Sequence, residues 1–176
     1  MLPERKGNTY SISFEEVTLV AKEMTLKNGG HEALFIMDGS KNIIAAGVGT
    51  LPATHDSRIR LMQSAGRYAA RSGEVGRLRQ VFMISEGWMS RSKEGKPLKM
   101  RPIHDPDRKE VLIVSGLQIQ EQLKYLKMFE MKRDQDGRLI NLEELIPDTG
   151  KNGKIEIPLV DAFAEGFQLA FRELSN

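Results

Sequence analysis

Four strand-like stretches, 80–89, 110–117, 121–132 and 138–145, follow one another with no strong helical stretch among them. Strands joined directly, without a crossover helix, pair antiparallel. This run therefore predicts an antiparallel sheet and leaves the helices to flank it. In 121–132, Leu123, Tyr125, Phe129 and Met131 share one parity, which favours a strand over the alternative of a helix. The link Asp134-Gln135-Asp136-Gly137 has hairpin-turn chemistry.

The helical signals lie outside that run. Ser13 and Glu16 form the S-x-x-E pattern of a capping box, and Val17, Val20, Ala21 and Met24 repeat at helical spacing until Gly29-Gly30. Residues 33–38 and 43–48 read as a strand hairpin. A helix is expected over 57–72. Leu61, Met62, Ala65, Tyr68 and Ala69 fall on one side of it, and Arg60, Ser64, Arg67 and Arg71 on the other. Its small residues Ala65, Gly66, Ala69 and Ala70 would let it lie close on a sheet. From Pro158, the stripe Val160, Phe163, Ala164, Phe167, Phe171 and Leu174 predicts a docked C-terminal helix. The expected fold is α+β, with a mostly antiparallel central sheet of about six strands, an N-terminal helix, a middle helix and the docked C-terminal helix. A single domain over 1–176 is expected, with 1–12 an extended lead-in and 147–154 the most loop-like segment.

Several function classes find no support. The chain has no cysteine, so disulfides, thiolate zinc sites and cysteine nucleophiles are excluded, and a cytoplasmic location is expected. No apolar run approaches a membrane span. Neither a dinucleotide-binding glycine pattern nor a P-loop nor a G-x-S-x-G elbow is present. The α-β-β-α-β opening resembles the cytidine-deaminase and JAB-metalloprotease architectures. Those need zinc-bound cysteines or a His-x-His pair, and this chain has neither. Two His-Asp pairs, His55-Asp56 and His104-Asp105, sit in proline-marked loops. They read as turn residues and helix caps, Asp56 capping the 57–72 helix, rather than as metal ligands. No metal site and no cofactor are expected.

One segment remains, 85–116, in which a strand runs out into a charged loop and a second strand returns. If the strands pair as a hairpin, Glu86 can face Arg108, with Trp88 beside it and Asp105 and Glu110 close by. Either the group is an ion pair that pins the strand ends under Trp88, or it is a small pocket. In the pocket, Glu86 would act as general base, Arg108 would bind an anion, and His104 and Asp105 would complete the centre.

The segment resembles a pattern in uncharacterised bacterial and phage-borne proteins, SE-[AG]-W-M followed by DP-x-R-x-E-x-L-x-V. It is carried here by Ser85-Glu86-Gly87-Trp88-Met89 and by 105–114, with Gly87 where alanine is expected. The resemblance implies no activity. It does imply that the two halves of the segment belong together.

Charge supplies a second candidate. Segment 57–103 holds 11 Lys and Arg against 3 Asp and Glu, a net of +8, while the rest of the chain is at −6. Arg60, Arg67 and Arg71 line the middle helix, and Lys93, Lys96, Lys99 and Arg101 follow in a loop without interleaved aromatics. The segment is either a solvated, charge-protected stretch or a phosphate-contacting surface. The expected function is a non-catalytic binding or accessory protein that contacts protein or nucleic acid through segment 57–101. The alternative is an enzyme with a hydrolase-like acid/base site at Glu86, His104, Asp105 and Arg108. A homodimer stays open, because 121–131 would pair between chains if it were an edge.

Overall fold

The computed structural model describes residues 10–90, 102–146 and 154–176. Helix α1 is Phe14–Asn28, followed by β1 (Leu34–Gly39), β2 (Ile43–Gly47) and helix α2 (His55–Ser72). Then come β3 (Leu78–Met89), a 3-10 turn at Pro102–His104, β4 (Lys109–Gln118), β5 (Leu123–Arg133), β6 (Leu139–Leu145) and helix α3 (Pro158–Ser175). The six strands form one sheet in the order β2-β1-β3-β4-β5-β6, and every neighbouring pair is antiparallel. The fold is the expected α+β architecture. Helix α2 carries the chain across β1, so that β3 pairs on the far side of the first hairpin.

Alternation along the strands sorts two cores. Phe35, Met37, Val81, Met83 and Leu117 point to the face covered by α2 and α3. Ile36, Phe82, Ile84, Leu112, Val114 and Phe129 point to the face covered by α1. β3 is central and buried on both faces, which explains its unbroken apolar run Val81-Phe82-Met83-Ile84.

Ser13 and Glu16 make both bonds of the capping box, and Gly29 closes α1 with a left-handed backbone at φ 74°. The buried stripe of α1 is Phe14, Val17, Thr18, Ala21 and Thr25, while Val20 and Met24 are exposed. Thr18 and Thr25 can take buried positions because their hydroxyls donate to the carbonyls of Phe14 and Ala21. Ahead of α1, Ser11 Oγ and the Ile12 N–H donate to the buried Asp38 carboxylate, and Gln80 Nε2 donates to the same oxygen. Residues 1–9 of the expected lead-in lie outside the described residues.

Four expectations need correcting. Helix α2 starts at His55, and its cap is Thr54, whose extended backbone lets Oγ1 accept the Ser57 N–H. Asp56 sits instead in the first turn, where a negative charge suits the helix dipole. The small residues of α2 meet a helix rather than the sheet. A Cβ on Gly66 would stand 2.1 Å from the Phe163 carbonyl oxygen, and one on Gly166 would stand 2.1 Å from that of Gln63. The buried line of α2 is therefore Met62, Gly66 and Ala70, and Tyr68, on the opposite side of the helix from Gly66, is 79% exposed. Finally, β5 is not an edge, because β6 covers it, and the sheet edges are β2 and β6. Helix α3 docks as expected through Val160, Phe163 and Phe167, with Leu174 left exposed at its end.

Candidate functional site

The ends of β3 and β5, the start of β4 and the C-terminus of α1 meet at one end of the sheet. The β3–β4 register sets Glu86 opposite Leu112 and Trp88 opposite Glu110, and the last pair is Met89 with Lys109. Arg108 lies one residue beyond that last pair, so it does not face Glu86. It reaches Trp88 instead, with its guanidinium carbon 4.5 Å from the ring centre. Trp88 is 44% exposed, so this stack faces solvent.

The residues before Arg108 form an Asx turn. The N–H groups of Asp107 and Arg108 donate to the Asp105 side chain and carbonyl, and Arg108 Nη1 donates to that carbonyl at 3.2 Å. His104 is exposed in the 3-10 turn before them.

The arginine that enters the cluster is Arg133, at the end of β5. It grips Glu110 with two bonds, Nε at 2.7 Å and Nη2 at 2.8 Å. Its Nη2 also donates to the Gly29 carbonyl at the end of α1, and its Nη1 to the Gly137 carbonyl in the β5–β6 turn. One guanidinium thus ties β4, the C-terminus of α1 and a hairpin turn together. The only sequence signal for Arg133 is its place just before the Asp134–Gly137 turn, which does not reveal Glu110 as its partner.

Glu86 has a different contact. Its carboxylate accepts the backbone N–H of His31. The approach is tight, since a Cβ on Gly30 would stand 3.1 Å from Oε1. Burial pushes the Glu86 carboxyl above its ordinary value. The His31 N–H opposes that shift, Glu110 adds to it, and the Arg133 charge works against it.

A groove of about 620 Å³ opens here, lined among others by Met24, Asn28, Gly30, His31, Leu34 and Glu86. His31 Nδ1 lies 2.6 Å from the Glu32 carbonyl and donates to it, so that in the neutral ring Nε2 is the acceptor. That Nε2 is buried and has no hydrogen-bond partner among the described residues. The histidine beside Glu86 is therefore His31, and His104, Asp105 and Arg108 are not among the residues lining the groove. Among the described residues no three His, Asp or Glu side chains are placed to hold a metal ion.

The second candidate lies on α2. Arg60, Arg67 and Arg71 are exposed along one stripe, and the exposed ring of Tyr68 stands beside them. Among the described residues, the carboxylate that forms an ion pair with them is Glu173, 3.8 Å from Arg71, with both side chains about 60% exposed. Such a pair contributes little. Lys93, Lys96, Lys99 and Arg101 lie outside the described residues, as does most of the 147–154 loop.

A family model for bacteriophage lambda protein ea47 matches residues 3–167. The chain belongs to the ea47 family. That match supports the resemblance to phage-borne proteins and spans both halves of the 85–116 segment. The ea47 description names a phage protein and no activity. No curated protein and no solved structure matches the chain. Among the described residues of this ea47-family chain, no helix is long and apolar enough to cross a membrane.

Proposed function

We propose that this ea47-family chain is a non-catalytic binding protein that contacts nucleic acid through the basic segment 57–101, with α2 as its rigid part. The observation that carries this reading is the exposed stripe of Arg60, Arg67 and Arg71 with Tyr68 beside it. Guanidinium groups on one helical face suit a phosphate backbone, and an exposed ring adds a stacking platform for an unpaired base. The loop that carries Lys93, Lys96, Lys99 and Arg101 has no aromatic residue, and Tyr68, which is exposed on α2, supplies one.

The test is retention on heparin and on single-stranded DNA across a salt gradient. R60A/R67A/R71A should elute earlier, with a shallower salt dependence, and Y68A should weaken single-stranded DNA more than heparin. K93A/K96A/K99A/R101A tests the loop half of the segment in the same way. Retention unaffected by either set of changes overturns the reading.

A second reading places acid/base chemistry at Glu86. It is favoured by the raised carboxyl and the unpaired His31 Nε2 in one groove. In this reading Glu86 and His31 exchange the proton, while Arg108 and Glu110 hold the surrounding strand ends. A screen of ester and phosphoester substrates should then show turnover that E86Q and H31A abolish and R108A does not. Turnover surviving E86Q, or none from any substrate, overturns it.

A further inference from the structure

At the sheet end opposite Glu86, the start of β3, the end of β4 and the second half of α3 line an open cavity of about 560 Å³. That volume is in the range of small-molecule sites. Three arginines line it, Arg77 from the bend just before β3, Arg79 from β3 and Arg172 from α3. Among the described residues, none of these three guanidiniums makes an ion pair or a side-chain hydrogen bond, although others in the same chain, such as Arg133, are fully engaged. One carboxylate, Glu121, shares the lining, so the site keeps an excess of positive charge.

The rest of the wall is not a bare basic surface. Phe171 contributes a half-buried ring that stacks at 6.2 Å on the buried Phe167. Gln120 and Gln168 add amides able both to donate and to accept.

We infer that this cavity binds a nucleoside phosphate, either free or as the phosphorylated end of a strand. Guanidinium forks match the oxygens of a phosphate monoester and keep their charge at any physiological pH. The ring of Phe171 offers a face to a planar base, and the two amides offer hydrogen bonds to its edge. A single phosphate alone would use the arginines and leave the aromatic and amide walls empty. The α2 face ends next to this cavity, because Arg71 reaches Glu173, the residue after Arg172. The inference does not rest on the α2 reading, since a free nucleotide needs nothing from that helix.

The experiment is calorimetric titration of the full chain with nucleoside 5′-monophosphates, with inorganic phosphate, with unphosphorylated nucleosides, and with a short oligonucleotide with and without a 5′-phosphate. Monophosphates should bind at least tenfold tighter than inorganic phosphate, and nucleosides should not register. R172Q, at an exposed position, should weaken monophosphate binding at least tenfold without changing the melting temperature, and R79Q should do the same. F171L should lower the preference for monophosphate over inorganic phosphate. R60A/R67A/R71A should leave monophosphate binding unchanged, which separates this site from the α2 face. Competition by the 5′-phosphorylated oligonucleotide, and not by its unphosphorylated form, identifies a strand end. Competition by neither identifies a free nucleotide. No heat with any monophosphate, equal affinity for inorganic phosphate, or binding that survives R79Q/R172Q overturns the inference.

Discussion

Arg133 and Glu110 form a two-bond fork at 2.7 and 2.8 Å, and the same guanidinium holds the last carbonyl of the α1 cap at Gly29. The fork joins neighbouring strands to the helix on their face. Both side chains are largely covered, at 30% and 21% exposure, so water competes only in part. Replacing Arg133 by Ala should cost about 1–2 kcal/mol, the lower part of the range for hydrogen bonds to charged groups, because water still reaches the pair in part. R133K keeps the charge but cannot make the fork, so most of the loss should remain. Urea unfolding decides it, and an R133K curve that overlays the unmodified chain would sink the assignment.

The single tryptophan reports on this end of the sheet. Trp88 is stacked by Arg108 at its exposed surface. R108A should change the intensity of Trp88 emission while costing under about 1 kcal/mol, as expected of an exposed cation–π contact. R133A should leave the native spectrum nearly unchanged and act mainly on the midpoint. Identical spectra for R108A and the unmodified chain would argue against the stack in solution.

Helices α2 and α3 touch backbone to backbone at Gly66 and Gly166. A methyl group at either place meets a carbonyl, which cannot move as a flexible side chain can. G66A and G166A should each cost about 1–3 kcal/mol, the usual range for overpacking. Their effects should not add, because they open the same contact. Thermal melts of the two single variants and the double variant test both statements.

Two glutamates should pull the pH dependence of stability in opposite directions. Glu130 accepts from Lys109 at 2.6 Å and Lys132 at 2.7 Å, and these bonds hold its carboxyl below its ordinary value of 4.5. Its contribution is complete above that value and is lost as the pH falls through the lowered folded value. Glu86 is raised above 4.5, chiefly by burial. Its contribution is complete below 4.5 and is lost as the pH rises through the raised folded value. E130Q should therefore melt below the unmodified chain at neutral pH and converge with it in acid. E86Q, whose amide oxygen can still accept the His31 N–H, should lose nothing at neutral pH. Parallel melting-temperature profiles for the three proteins would contradict both assignments.

Element types were legible in the sequence because they depend on local period and end chemistry. The strand alternation in 121–132, the Ser13–Glu16 capping box, the Asp134–Gly137 turn and the Pro158 helix start all appear where they were expected. Tertiary structure decided which residues meet. Glu86 and Arg108 belong to one strand-loop-strand segment, yet the β3–β4 register leaves Arg108 past the last pair, and the arginine that enters the cluster is Arg133 at the end of β5, which grips Glu110. The helical period of α2 placed Tyr68 on its apolar side. Only the close approach of α3 at Gly66 turned that ring to solvent. His31 carried no motif, and its backbone met Glu86 only when the end of α1 was laid over β3. Period is a property of a few consecutive backbone dihedrals, so neighbouring residues suffice to show it. Partner choice depends on register and on helix docking, which are set by contacts between residues far apart in the chain.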